Sequence, residues 1–298
     1  MTIAPRSFTS PWLLLAGLLA LVTLAACAPL SLLNGVARAS GGYSLQTDVM
    51  YGPNPRQALD VYTPTTRAPA GGWPLAVFFY GGSWNSGSRA DYAFVGISLA
   101  ARGVLTVVAD YRLYPEVRYP AFLEDSAQAL AWGLQQAQQR GANPKRVFVV
   151  GHSAGAYNAA MLALDRRWLA AIGHAPAELA GWVGLAGPYD FFPTDNVQAQ
   201  PVFFHPNYPP QAQPIDFPSP AAPRTFVGAP LNDALVDPVR STQSLAAKLQ
   251  ANGVDVTVRR YEHASHTTLI GAFAPGLRWI APVLDDVAAF IEAAPAAR

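Results

Sequence analysis

The sequence contains little cysteine and little charge. Its 298 residues include one cysteine, and Asp, Glu, Lys and Arg together make up 13%. A single cysteine excludes an intramolecular disulfide and any structural zinc site that needs two or more thiolates. Twenty basic residues against nineteen acidic ones leave a net charge of +1. Because such a chain has no basic field to hold a polyanion, we expect no nucleic-acid partner.

Apolar residues are abundant, at 51% of the chain. High apolarity with low net charge is the opposite of the signature of disorder, and a chain of this length can bury a large core. Between residues 43 and 298, segments with strand character alternate with segments of helical periodicity. This alternation predicts one α/β domain with a mostly parallel central sheet and helices on both faces.

An apolar run occupies residues 12–26, near the start of the chain. As a helix it would measure about 22 Å. It is short for a bilayer core of about 30 Å and suits the apolar region of a signal peptide. The run ends in Leu24-Ala25-Ala26-Cys27, which resembles the lipobox of bacterial lipoproteins.

That resemblance implies that Cys27 is lipidated and becomes the mature N-terminus; the alternative is an ordinary signal peptide with an incidental cysteine. We therefore expect a lipoprotein signal peptide over residues 1–26 and a lipidated tether over residues 27–42. The protein would then lie in the bacterial cell envelope, periplasmic or at the outer membrane, held to a membrane by its N-terminal lipid.

A short glycine-bounded motif surrounds Ser153. The sequence G-H-S-A-G at residues 151–155 matches G-x-S-x-G, with a predicted strand at residues 146–150 before it and a predicted helix at residues 154–165 after it. A strand, a tight turn and a helix in this order are what a nucleophile elbow needs. An ordinary strand-to-helix turn is the alternative.

Two further segments resemble motifs of one superfamily. Y-G-G-S-W at residues 80–84 resembles the H-G-G-x-W turn of esterases, and D-Y-R-L-Y-P-E at residues 110–116 resembles their Y-R-L-x-P-E segment. With the elbow, these motifs make the chain similar to the α/β-hydrolase superfamily. Within it, the chain resembles small carboxylesterases, hormone-sensitive-lipase-like esterases and arylformamidases. A pairing of Arg112 with Asp125 is expected to brace the loop beside the site.

The resemblance implies a site built on Ser153 as nucleophile. In this fold the base follows the last strand, which leaves His263 and His266; Y-E-H-A-S-H at residues 261–266 resembles Y-x-G-x-x-H and favours His266. The acid follows the preceding strand. There Asp233 is favoured over Asp237, which precedes a proline and is expected to cap a helix.

Backbone N–H groups would stabilise the negative oxygen of a tetrahedral intermediate. By the resemblance, these donors belong to Gly82, Ser83 and Ala154. Tyr80 departs from the family pattern, which has histidine at that place, and this raises the question of what supports the turn.

The function implied is that of a serine carboxylic-ester hydrolase acting through an acyl-enzyme on a small-molecule ester, with no metal or organic cofactor. The alternatives are an arylformamidase or other amidase with the same residues, or a non-catalytic binding protein on the same fold. A proline-rich insertion at residues 191–223 interrupts the α/β pattern. Such an insertion suits a lid or a pocket wall, although a purely structural excursion is equally compatible.

Overall fold

The computed structural model describes residues 29–295 and residue 297. The predicted signal peptide and Cys27 lie outside the described residues. The strands are β1 (Tyr43–Met50), β2 (Ala58–Pro64), β3 (Trp73–Phe79), β4 (Leu105–Ala109), β5 (Ala142–His152), β6 (Gly181–Leu185), β7 (Thr225–Pro230) and β8 (Val256–Tyr261). The helices are α1 (Pro29–Ala39), α2 (Ala93–Ala100), α3 (Ala121–Gln136), α4 (Ala154–Leu164), α5 (Arg166–Ala170), α6 (Ser244–Ala251), α7 (His266–Gly271) and α8 (Val283–Ala293).

The eight strands form one sheet in the order β1-β2-β4-β3-β5-β6-β7-β8. The pairs β1–β2 and β2–β4 are antiparallel, and every pair from β4 to β8 is parallel. The predicted α/β fold with a mostly parallel sheet is therefore confirmed. Because β5, β7 and β8 are parallel, the loops that follow them leave the sheet at the same edge.

Helices cover both faces of the sheet. A Cβ placed on Gly133 of α3 would meet Val77, whereas the ring of the next residue, Phe78, packs on Tyr92 beside α2. Successive strand residues point to opposite faces, so α2 and α3 lie on opposite sides. β3 is buried along almost its whole length, as expected for a central strand with both faces covered.

The N-terminal segment differs from the predicted tether, because residues 29–39 form helix α1. The side chains of Leu30, Leu33, Asn34 and Ala37, at helical spacing, face the domain. Asn34 Nδ2 donates to the carbonyl of Ala90 at 2.9 Å, and its Oδ1 accepts the N–H of Phe94 at the same distance. The many small residues of this stretch favour a linker. The side chains that face the domain recur at helical spacing, however, and this spacing allows a helix that packs on α2.

Two helices are extended by turns of another helical type. A 3₁₀ turn, Gln138–Arg140, follows α3. A π-helical turn, Val239–Gln243, precedes α6. Across residues 29–295, we find no helix both long and apolar enough to cross a membrane.

Candidate active site

Ser153 lies at a strained turn between β5 and α4. Its φ is +55° and its ψ is −123°, a conformation that a residue with a side chain rarely adopts. A Cβ on Gly155 would come within 2.0 Å of the carbonyl oxygen of Phe79, and one on Gly151 within 2.1 Å of the carbonyl oxygen of Gly155. Glycine is therefore required on both sides, and the predicted elbow geometry is present.

His266 and Asp233 approach Ser153 from the loops after β8 and β7. The Nε2 atom of His266 lies 2.8 Å from Ser153 Oγ, and its Nδ1 lies 2.7 Å from Asp233 Oδ2. The alternatives considered from sequence make other contacts. His263 lines a separate surface hollow with Pro282, and Asp237 accepts the N–H of Val239 at 2.8 Å as a helix cap.

The carboxylate of Asp233 is held ionised. Burial by itself would raise the pKa of Asp233, but the hydrogen bond and charge of His266 and the N–H groups of Leu235 and Val236 outweigh it, so the pKa lies below its ordinary value. An ionised Asp233 accepts a hydrogen bond from the N–H at Nδ1 of His266. The lone pair of Nε2 then faces Ser153 Oγ, which is the arrangement that a general base needs.

His152 supports the backbone of His266 from inside the protein. Its buried Nε2 lies 2.9 Å from the carbonyl oxygen of His266. Because a carbonyl only accepts, Nε2 carries the proton. Burial, with the nearby charge of His266, lowers the pKa of His152 to about 3. The motif showed a histidine beside the serine, but sequence reasoning missed this supporting contact.

The turn after β3 lies directly against Ser153. A Cβ on Gly81 would come within 2.8 Å of Ser153 Cβ, and φ is positive at Gly82, Ser83 and Trp84. In the described part of the chain, the N–H groups of Gly82, Ser83 and Ala154 make no hydrogen bond to protein. These three donors are therefore free to bind an oxygen beside Ser153.

Tyr80 is held in place by a buried polar network. Its hydroxyl donates to Asp110 Oδ1 at 2.8 Å and accepts from Arg56 Nη2 at 2.6 Å. Its ring stacks between Tyr92, at 5.5 Å, and Tyr111, at 4.9 Å between ring centroids. Tyr111 also donates to the carbonyl of Tyr80 at 2.8 Å. This network answers the question raised by the missing histidine, since it braces the start of the turn.

A pocket of about 300 Å³ opens onto Ser153 and His266. Trp84 forms part of one wall, and the insertion at residues 191–223 contributes another through Phe191, Pro193, Thr194, Asp195, Asn196 and Ala199. The insertion is joined to the turn by the side chain of Asn196, whose Nδ2 donates to Ser83 Oγ at 3.2 Å. Its first third is thus a pocket wall, as one of the two interpretations predicted.

Two further features concern the surroundings of the site. Arg112 pairs with buried Asp125 at 2.7 Å, as the sequence predicted. Over the described ranges, His, Cys, Asp and Glu side chains form no group of three that could hold a metal ion.

Comparison with known proteins identifies the class. A family model described as the alpha/beta hydrolase fold matches residues 76–270, so the chain belongs to this family. The resemblance to the α/β-hydrolase superfamily is thereby confirmed.

Curated relatives match about half of this chain. A probable isoprenylcysteine alpha-carbonyl methylesterase of Oryza sativa subsp. japonica is 34% identical over 148 residues, which are 48% of this chain and 34% of that protein. Esterase LipC of Mycobacterium tuberculosis is 33% identical over 152 residues, or 48% of this chain and 36% of LipC. A kynurenine formamidase of Salmo salar is 28% identical over 163 residues, or 55% of this chain and 52% of the formamidase. The chain thus spans about a third of the two esterases and half of the formamidase.

Solved structures share the fold over most of the chain. An esterase from Pyrobaculum calidifontis superposes with a TM-score of 0.68 at 23% identity, covering 89% of this chain and 90% of the esterase. A thermostable esterase from Pseudomonas putida gives a TM-score of 0.65 at 22% identity, covering 88% and 86% of the two chains.

Proposed function

We propose that the protein is a serine carboxylic-ester hydrolase that acts through an acyl-enzyme on small esters. The observation that carries the proposal is the hydrogen-bonded series from Asp233 through His266 to Ser153 Oγ. The pocket beside it has room for a small substrate. The two esterase relatives support the same reaction class.

In the first half of the reaction, His266 Nε2 takes the proton of Ser153 as Oγ attacks the ester carbonyl. The N–H groups of Gly82, Ser83 and Ala154 donate to the oxygen that becomes negative. Asp233 orients the imidazole and stabilises its charged form. His266 then gives its proton to the leaving alcohol, which leaves an acyl group on Ser153.

In the second half, water replaces the alcohol. His266 takes a proton from water as the water attacks the acyl carbonyl, and the same donors hold the oxygen again. The carboxylic acid leaves and Ser153 Oγ regains its proton.

Replacement of the nucleophile tests the proposal most directly. We expect Ser153→Ala to lower kcat for p-nitrophenyl acetate by on the order of 10⁶-fold, because the residues of such a site act as a unit. A fluorophosphonate probe should label the wild type and leave Ser153→Ala unlabelled. Full activity in Ser153→Ala would overturn the mechanism, and an unlabelled wild type would favour a non-catalytic binding protein.

The formamidase relative supports a second candidate, hydrolysis of an aryl formamide by the same residues. Assays of phenyl acetate and formanilide side by side separate the two. We expect the ester to turn over faster, and a higher kcat/KM for the formamide would assign the protein as an amidase.

We also propose that Cys27 carries the lipid that holds the protein at the cell envelope. The support is its place directly after Leu24-Ala25-Ala26 at the end of the apolar run. Mass spectrometry of the N-terminal peptide should find an acylated Cys27 as first residue. An unmodified Cys27 would leave the ordinary signal peptide as the explanation.

A further inference from the structure

We propose that the outward face of helix α1 lies on the membrane that holds the lipid of Cys27. We call this surface the α1 face and define it by Leu32, Gly35, Val36 and Ala39. The proposal rests on the lipid anchor proposed above, and it is independent of the hydrolytic mechanism.

The α1 face is apolar and exposed. Its four residues recur at helical spacing, with Leu32 59% exposed and Val36 51% exposed. A surface helix normally carries polar residues on its outer side, and an apolar patch there indicates a contact surface. The inner side of α1 is covered by the domain, so the outer side needs a covering of its own.

The distance to Cys27 identifies that covering. Only Ala28 separates Cys27 from Pro29, the first residue of α1. Two residue steps of extended chain reach about 7 Å, which is less than the width of a helix. Acyl chains buried in a bilayer therefore hold the first turn of α1 at the headgroups. The bilayer is the apolar phase that lies within reach of Leu32.

Charge on the helix agrees with this placement. The single charged residue of α1 is Arg38, in its last turn. A basic residue without acidic neighbours on its helix is attracted to a leaflet that contains anionic lipids. The α1 face itself has no charge to desolvate.

A second exposed side chain lies in the chain segment beside α1. The turn Pro275–Leu277 packs against α1, and Trp279, two residues later, is 81% exposed. Tryptophan is enriched where proteins meet the membrane–water interface.

The docking would orient the whole domain. Asn34 locks α1 to the loop before α2, and a Cβ on Gly271, at the end of α7, would lie 3.9 Å from Leu33. α7 begins at His266, so one short helix joins the inner side of α1 to the candidate active site. The protein would sit on the bilayer as a rigid body, unlike an enzyme on a flexible tether.

Fluorescence quenching in vesicles tests the α1 face. The full-length lipidated protein carries a fluorophore on Val36→Cys, or, as the matched control, on Val197→Cys of the insertion, where Val197 is 74% exposed. Acylation of Cys27 leaves the introduced thiol as the single free one. The vesicles contain phosphatidylethanolamine, phosphatidylglycerol and a nitroxide-labelled lipid. Far-UV circular dichroism verifies that each labelled variant is folded.

We expect the nitroxide lipid to quench the probe at position 36 at least twofold more than the probe at position 197. Equal quenching at both positions would overturn the docking. An unacylated Cys27, found by mass spectrometry of the same samples, would remove the anchor and the docking together. Neither result bears on the proposed ester hydrolysis. That proposal is contradicted only if the wild type does not hydrolyse p-nitrophenyl acetate or if Ser153→Ala still does.

Discussion

The pocket beside Ser153 has two walls of different construction. The turn after β3 rests on Tyr80, which is stacked between aromatic rings and hydrogen-bonded to buried Asp110. On the opposite wall, residues 195–198 of the insertion are exposed, and Asn196 ties them to the turn by a bond of 3.2 Å between exposed groups. The two walls meet where the rings of Trp84 and Phe191 stack, with centroids 6.0 Å apart.

This difference separates two tasks. A reaction that relies on donors at fixed positions needs a wall that cannot shift, and buried networks supply that rigidity. Selection among substrates needs side chains that can change without loss of the fold, and exposed loops on a rigid scaffold supply these. We therefore expect substitutions on the turn side to change kcat and stability, and substitutions on the insertion side to change substrate preference.

We expect the largest effect, a loss of kcat, at Asp233 and a much smaller one at Asp237, which lies in the same loop after β7. In Asp233→Asn, the side chain keeps its bonds to the N–H groups of Leu235 and Val236 but loses the charge that faces His266. We expect kcat for p-nitrophenyl acetate to fall by on the order of 10³–10⁴-fold. Asp237→Asn, which changes a helix cap at the pocket rim, should lower kcat less than about tenfold. Similar losses in both variants would argue against the role proposed for Asp233.

The second effect concerns acid stability. The pKa of His152 is about 3 in the folded protein and about 6.5 in an unfolded chain. The unfolded state thus binds more protons between these values, and stability falls as the pH falls. From pH 7 to pH 5, this group alone should lower the free energy of unfolding by about 2 kcal/mol.

His152→Gln removes that titration and keeps a donor for the carbonyl of His266. Urea unfolding at pH 5 and pH 7 should therefore give a smaller difference for His152→Gln than for the wild type. Asp233, whose pKa in the folded protein lies below its ordinary value of 3.8, loses its stabilising contribution only in more acidic solution. Identical pH dependence in the two proteins would contradict a neutral, buried His152.

The third effect compares two tyrosine hydroxyls. Tyr80→Phe removes the bonds to Asp110 and Arg56, and we expect it to lower the free energy of unfolding by about 1 kcal/mol and kcat several-fold, with KM nearly unchanged. Tyr208→Phe removes the bonds to the N–H of Thr194 and to Nδ1 of His205, both within the insertion. Because the bond to His205 is exposed, the effect on both quantities should be smaller. Urea unfolding and ester kinetics measure the pair, and a larger loss in Tyr208→Phe would reverse the comparison of the two walls.

The smallest expected effect is on the preference for charged substrates. Asp195 is an exposed carboxylate on the insertion wall of the pocket. Asp195→Asn should raise kcat/KM for an ester with an anionic acyl group, relative to p-nitrophenyl acetate, by up to about fivefold at low salt. Because exposed charges are screened, the gain should disappear near 1 M salt. A gain that is independent of salt would show that charge is not its cause.

Local signals made the core of the fold predictable. β3 is a continuous apolar segment, and the G-x-S-x-G motif lies between a segment with clear strand character and one with clear helical periodicity, so residues close in sequence predict these elements. The tether predicted over residues 27–42 was wrong where α1 forms, because Asn34 finds its partners at residues 90–94. The contact of His152 with His266 joins positions 114 residues apart, and no local pattern announces such a bond.

The order of residues by itself determined the α/β class and the strand, turn and helix around Ser153, since each depends on neighbours along the chain. The need for glycine at position 155 came from the tertiary structure, because the carbonyl of Phe79 lies against it. Only the tertiary structure brought His266, and not His263, within hydrogen-bond distance of Ser153. It likewise brought Asp233, and not Asp237, within hydrogen-bond distance of His266. It also decided how Tyr80 supports the turn in place of histidine and which side of α1 stays uncovered. The physical reason is that parallel strands bring distant loops to one edge, where geometry alone selects among residues of the same chemistry.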